Sequence, residues 1–138
     1  MHYSDLGYKH YQEYVDGPEW QEIKDYFFKH CGEYKCRICG RHWKLLLHKR
    51  SYEYLTMEKL RNRFIFKFFI VRYLKKYMTW LCFPDNDLVH FDDDGGRIEL
   101  DYKKLWRREQ QIYRRRNAWY NRLLRKRPSE IINLLSGR

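Results

Sequence analysis

Two groups of residues in this chain have the types and spacing of metal ligands. Cys36-Arg-Ile-Cys39 is a thiol pair at knuckle spacing, and further along Cys82 and Asp85 repeat the spacing with a carboxylate in place of the second thiol. Structural zinc takes thiolate sulfur and also accepts carboxylate oxygen, so Cys36, Cys39, Cys82 and Asp85 make a candidate zinc cluster, with Cys31 as the alternative fourth ligand. The bland reading makes Cys82 a small buried hydrophobe and the other two free thiols. The second group is His48, Asn86 and His90. Asn86 and His90 stand four apart and share one face of a short helix. An imidazole facing that pair would let the three bind a hard divalent cation, with water or phosphate filling the other positions.

The elements that must position these residues follow from local patterns. Gly17-Pro18-Glu19 opens a helix, with Trp20, Ile23 and Phe27 at helical spacing and Gly32 closing it. Cys36 to Gly40 forms the knuckle, and Lys44-Leu-Leu-Leu-His48 reads as a short strand that delivers His48 at its end. Met57 to Met78 predicts one long helix with Leu60, Phe64, Phe68, Val71 and Leu74 along one side. Thr79 to Cys82 predicts a second strand, and Asp85 to Phe91 a helix too short to persist without metal or packing. Asp92 to Gly96 reads as a turn and Arg97 to Leu100 as a small strand. The last large helix runs from about Tyr102 to Leu124. On it, Leu105, Ile112 and Trp119 form an apolar stripe, while Arg108, Arg115 and Arg122 form a second stripe that is expected to stay free. Pro128-Ser-Glu130 starts a short terminal helix.

Composition and charge narrow the class. A chain of 138 residues, 43% hydrophobic, has enough apolar side chains for one modest core and too many for a disordered tail. The expectation is a single domain over 1–138, with a core at about 17–92 and a basic helical extension at about 97–138. The net charge is +11, and it is unevenly spread. Between Lys103 and Arg127 eleven basic residues are opposed only by Glu109. Such a block is the electrostatic footprint of a nucleic-acid binder, although an anionic membrane surface or an acidic protein would also be attracted. Arg107, Arg108, Arg114, Arg115, Arg116 and Arg122 are the candidate nucleic-acid contacts. Trp106, Tyr113, Trp119 and Tyr120 interleave with them, with core packing expected for Trp106 and Trp119. Met1-His-Tyr-Ser-Asp-Leu6 carries no apolar run, and Lys67 and Arg72 interrupt the most apolar stretch. The expectation is therefore an intracellular, cytoplasmic chain that is neither secreted nor membrane-bound.

Taken together, the motifs resemble those of HNH endonucleases, the ββα-metal class. Gly17-Pro-Glu-Trp20 is similar to the Ser-Pro-x-Trp helix that often precedes the family's knuckle. Tyr34-Lys-Cys-Arg-Ile-Cys-Gly40 looks like the knuckle itself. Leu47-His-Lys-Arg-Ser-Tyr52 stands where the family commonly has His-His-x-x-Tyr. Trp80-Leu-Cys-Phe-Pro-Asp-Asn-Asp-Leu-Val-His-Phe91 stands where it has Leu-Cys-x-x-Cys-His-x-x-x-His. The resemblance covers about residues 17 to 92. It implies an α+β fold: a small ββα-metal core with a zinc knuckle, embellished by several helices including a long basic C-terminal one. It also implies structural zinc on Cys36, Cys39, Cys82 and Asp85, and a catalytic Mg2+, Mn2+ or Ni2+ on His48, Asn86 and His90. The implied activity is metal-dependent hydrolysis or nicking of DNA, the double-stranded form being expected.

The chain departs from the family pattern in two places. Lys49 occupies the position of the general-base histidine, and a lysine takes a proton only where burial or a neighbouring cation depresses its pKa. Tyr77 lies near the place of the asparagine that orients the base. His42 or a metal-bound hydroxide is the candidate substitute for the base. Three readings result: an endonuclease with an atypical site, a catalytically inactive nuclease-like DNA-binding protein, or a zinc-stapled module for an acidic protein partner.

Overall fold

Two five-residue strands set the frame in a computed structural model that describes residues 2–51, 53–99 and 101–124. β1 (Leu45–Lys49) and β2 (Met78–Cys82) pair antiparallel, with Leu45 opposite Cys82, His48 opposite Thr79 and Lys49 opposite Met78. Successive strand residues face opposite sides of a sheet. Leu47, Lys49, Met78 and Trp80 therefore share one face, and His48 and Leu81 share the other. Both faces are covered by helices, which makes the fold α+β with a two-stranded sheet between helical layers.

On the first face lie a 3-10 turn (Tyr3–Leu6), α1 (Tyr11–Val15), α2 (Pro18–His30), α3 (Met57–Arg63) and α4 (Lys67–Tyr77). Tyr14, Trp20, Ile23 and Phe27 pack with Leu60, Ile70, Leu74 and the Leu47 and Trp80 side chains of the sheet. Gly17 precedes α2 and Pro18 sits in its first turn, as the sequence predicts. Thr56 caps α3 by accepting from the Lys59 amide at 3.1 Å.

The single helix expected over Met57–Met78 is two. Phe64 and Phe66 are extended, with φ −122°, ψ 114° and φ −94°, ψ 135°. Phe64-Ile-Phe66 is a run of aromatic and β-branched residues with weak helix propensity. Turning the chain there lets the Phe64 ring meet Tyr54 and Tyr73, at 6.5 and 5.6 Å between centroids. The break resets the helical phase, so Phe68 is exposed and Ile70 takes the buried place.

On the second face lie α5 (Phe83–His90) and α6 (Tyr102–Leu124). Cys36, Ile38, Leu81, Cys82, Val89, Leu105 and Ile112 form a second apolar cluster. Asp101 caps α6 by accepting from the Lys104 amide. Leu105 and Ile112 dock as the seven-residue stripe requires, but Trp119 lies beyond the covered part and is exposed. Trp106 is half-buried beneath the guanidiniums of Arg37 and Arg50, at 4.0 and 4.8 Å from its ring centroid. Instead of the small strand expected at Arg97–Leu100, the described residues show an isolated bridge between Phe91 and Arg97. The terminal helix expected from Pro128, and Arg125 to Arg127, lie outside the described residues. No helix among the described residues is long and apolar enough to cross a membrane.

α6 is joined to the sheet by a buried ion cluster. Glu109, with no solvent exposure, accepts from Arg50 Nε at 2.6 Å, Arg50 Nη2 at 2.7 Å and Arg37 Nη1 at 3.2 Å. Arg50 is itself fully buried, and its Nη1 donates to the Lys76 carbonyl at 2.8 Å. Burial alone would raise the Glu109 carboxyl, but the hydrogen bonds and charge of Arg50, with the nearby His48 ring adding to them, hold it down to about 2.

The depressed carboxyl makes the fold sensitive to acid. A carboxyl depressed in the folded state stabilises the fold above its unfolded pKa, and that contribution is lost as pH falls through the folded value. Denaturant melts should therefore lose on the order of 3 kcal/mol as pH drops from about 4.5 to about 2. Glu109→Gln should lower the neutral-pH stability and flatten that slope. An unchanged slope in the variant would place the acid sensitivity elsewhere.

Candidate functional site

The cysteine cluster is built by a tight turn and a helix start. Gly40 closes the turn after Cys39 in a left-handed conformation, φ +79°, with its amide donating to the Cys36 carbonyl at 2.9 Å. β2 delivers Cys82, and Asp85 follows in the first turn of α5. Cys36 Sγ lies 3.2 Å from Asp85 Oδ2, and Cys39 Sγ lies 3.7 Å from Cys82 Sγ. One ligand atom from each of Cys36, Cys39, Cys82 and Asp85 falls within 4.8 Å of all the others. Ligands around a tetrahedral ion at zinc-like bond lengths stand roughly 3.3–3.8 Å apart, so this cluster could bind a metal ion.

The electrostatics suit a cation that displaces protons. Burial pushes the Cys36 thiol up and the Cys82 thiol up to about 12. For Asp85 burial works against ionisation, but hydrogen bonding from Arg116 outweighs it and lowers the carboxyl; Arg116 Nη1 donates to Oδ2 at 2.9 Å. Cys31, the alternative fourth ligand, is not among these residues. It ends α2 and lies in the other core cluster, where burial raises its thiol to about 11.

Beside the cluster is a cleft of about 480 Å³ whose lining includes His48, Lys49, Asn86, His90, Trp20 and Arg97. Leu46 to Lys49 contribute four consecutive residues, and β2 contributes none. The cleft therefore follows the unpaired edge of β1, where residues from both faces of the strand meet. His48 Nδ1 lies 3.1 Å from Asn86 Oδ1, and the His48 and His90 rings are 5.1 Å apart at 67°. His90 Nδ1 and His48 Nε2 are buried without a hydrogen-bond partner, the latter 3.7 Å from Glu109 Oε2. Burial, with His48 and Arg97 adding to it, lowers the His90 pKa and favours the neutral imidazole that a metal requires. Two imidazoles and an amide oxygen can together hold a divalent cation. α5 serves both places, since Asp85 joins the cysteines while Asn86 and His90 line the cleft.

Lys49 enters the cleft from the opposite face of β1. Its Nζ donates to Tyr14 Oη at 3.1 Å and sits 3.7 Å above the Trp20 ring and 4.3 Å from that of Tyr14. Burial pushes the ammonium down to about 7, while the aromatic faces favour the charged form.

The two other residues considered near the base position lie elsewhere. His42 is exposed, with Nδ1 3.2 Å from the Tyr34 carbonyl oxygen, and does not line the cleft. Tyr77 packs on Tyr73 and Tyr102, and its carbonyl accepts the Arg50 amide at 2.7 Å.

The arginines of α6 divide into two groups. Arg108 is buried and bonds the Leu88 carbonyl, Asp93 and Gln111. Arg115 makes a two-pronged pair with Asp93, at 2.8 and 2.7 Å. Arg116 holds Asp85. Arg107, Arg114 and Arg122 are exposed and have no acidic partner among the described residues. Of Arg108, Arg115 and Arg122, expected to stay free, Asp93 recruits the first two, and only Arg122 lacks an acidic partner among the described residues.

Glu109, Tyr14 and Arg97 belong to the site or its support and are not singled out by sequence reasoning. For Glu109 a signal exists: a lone acid among the eleven cations between Lys103 and Arg127 is out of place in a solvated basic block. No family model, curated protein or solved structure matches this chain.

Loading the protein with Co2+ should give a sulfur-to-metal charge-transfer band that Cys82→Ser weakens strongly and Cys31→Ser leaves intact. Chelation should lower Tm, because the short α5 loses its anchor. A band that depends on Cys31 would overturn this ligand set.

Proposed function

We propose that this chain is a metal-dependent endonuclease of HNH-like, ββα-metal organisation that acts on duplex DNA. The carrying observation is the double use of α5: Asp85 closes the cysteine cluster while Asn86 and His90, one and five residues on, face His48 across the cleft. In this reading the cluster holds structural zinc. His48, Asn86 and His90 hold a catalytic Mg2+, Mn2+ or Ni2+. Their chemistry fits such an ion, with His48 Nδ1 beside the Asn86 amide oxygen and a buried His90 Nδ1 lacking a partner. When bound, the ion would polarise the scissile phosphate and stabilise the leaving oxygen.

The chain's own groups supply the rest. Arg97 lines the cleft as a cation beside the phosphate path. Arg107, Arg114 and Arg122 provide exposed backbone contacts on α6. Lys49 lies in the same cleft and acts on the phosphate or on its nucleophile. A second reading, occupancy of DNA without cleavage, is favoured by one observation. The Lys49 ammonium is seated on the Trp20 and Tyr14 rings, an arrangement that suits a fixed point charge better than a proton acceptor.

Purified protein should nick supercoiled plasmid with Mg2+, Mn2+ or Ni2+, and His48→Ala should reduce the rate at least about 100-fold. Salt-sensitive DNA binding without nicking, in protein that keeps its thiolate-bound metal, would establish the second reading.

Lys49→Met separates function from fold. Removing the buried amine, whose desolvation outweighs its bond to Tyr14 Oη and its ring contacts, should stabilise the protein by about 1–2 kcal/mol. Tm should therefore rise while nicking is lost. A fall in Tm with nicking retained would make Lys49 a structural residue.

A further inference from the structure

We propose that Glu109 of the basic helix α6 is the positioning residue for His48: it accepts the Nε2 proton and so leaves the Nδ1 lone pair facing Asn86 in the cleft. This role deepens the metal-site part of the proposed function and rests on that part alone.

The lone pairs of the carboxylate can be counted. A carboxylate offers about four acceptor sites. Glu109 Oε1 accepts from Arg50 Nη2 at 2.7 Å and Arg37 Nη1 at 3.2 Å, and Oε2 accepts from Arg50 Nε at 2.6 Å. One site on Oε2 is left. The atom facing it, 3.7 Å away, is His48 Nε2, which is buried and has no hydrogen-bond partner. A movement of about half an ångström closes this gap to an N–H···O bond, and no other donor among the described residues competes for the site. Bulk solvent does not reach either side chain, the two being 1% and 0% exposed. A proton on Nε2 is therefore stabilised, and a bare Nε2 would set a lone pair against a carboxylate.

The consequence falls on the other ring nitrogen. With the proton on Nε2, Nδ1 is an acceptor, and it lies 3.1 Å from Asn86 Oδ1. Two acceptors at that separation repel unless a cation lies between them or the Asn86 amide turns its NH2 group inward. Nearby, His90 Nδ1 is a further buried nitrogen without a partner. The arrangement is that of a carboxylate-oriented histidine ligand, in which the outer carboxylate fixes tautomer and ring direction. It also gives α6 a role beyond charge: the helix that presents the exposed arginines holds the ligand from behind.

The first test needs no variant. Long-range proton–nitrogen correlation spectra of the wild-type protein should show His48 as the neutral Nε2–H tautomer. The Nδ1–H tautomer, donating to Asn86, or a doubly protonated ring bridging Asn86 and Glu109 would overturn the proposal. The second test compares Mn2+ affinity at the cleft in wild type and Glu109→Gln, with the Co2+–thiolate band of the cysteine cluster as the control for folding. Loss of about 10–100-fold in cleft affinity with the band intact is expected. Unchanged affinity would overturn the proposal. If Glu109→Gln does not fold, the wild-type tautomer decides alone. Absence of nicking, with the expected tautomer and Mn2+ binding intact, would remove the endonuclease reading and leave this one standing.

Discussion

The buried carboxylate of Glu109 fixes the relation between the basic helix and the sheet. The Arg50 guanidinium and the Glu109 carboxylate in a dry interior, with the partly exposed Arg37 beside them, are costly to desolvate, and such a group persists only where nearly every donor and lone pair is matched. Here Arg50 meets Glu109 with a two-pronged contact and the Lys76 carbonyl with its third nitrogen. Trp106 lies under both guanidiniums and excludes water from one side. A shift of α6 by one turn would break all of these contacts together. The cluster therefore contributes less to net stability than to register: it places Leu105 and Ile112 in the second core and Arg108 under the last turn of α5.

Register matters because the site has no single element of its own. His48 comes from β1, Asn86 and His90 from α5, and the support from α6. Strand parity turns His48 toward α5 and α6, and Lys49 toward α1 and α2. Neighbours in sequence thus experience opposite layers, one ring backed by a carboxylate and one amine seated on aromatic faces. They meet again only at the unpaired edge of β1. α5 spans eight residues, too few to hold a helix unaided. Its two ends are tied by Asp85 to the cysteines and Arg116, and by the Leu88 carbonyl to Arg108. The cleft geometry is in this sense derived from contacts outside the cleft.

Much of this is readable from local pattern. Trp20, Ile23 and Phe27 announce α2, and the apolar run ending at His48 announces β1. The spacing of Cys36, Cys39, Cys82 and Asp85 announces a four-residue cluster. The misreadings share a cause, in that each depends on what lies across space. Apolar periodicity through Phe64 suggests one helix, but Tyr54 and Tyr73 offer that ring a better contact after a turn. Arg108 and Arg115 look like a solvated stripe because Asp93 is distant in sequence and close in space. Glu109 counts in the sequence as one charge among many, and only its surroundings make it a hub. The objection to Lys49 as a base applies to an exposed lysine, and only burial brings its pKa near neutrality.

The fate of the arginines also redefines the cationic surface. Counting charge along α6 suggests a uniformly basic helix, yet Arg108, Arg115 and Arg116 are engaged with Asp93 and Asp85. Intramolecular carboxylates have taken the stripe nearest α5, where they stabilise the turn after it and the cysteine cluster. Arg107 and Arg114, seven residues apart, stand on one side of the helix, with Arg122 roughly a quarter-turn from that line. Arg107 and Arg114 line a shallow groove with Trp106 and Gln110. A polyanion approaching α6 would meet this second stripe, because displacing Asp93 from Arg115 and Arg108 would cost the contacts that hold α5. One helix thus divides its six arginines between two roles, with three committed to structure around the candidate ligands and three left to face the solvent.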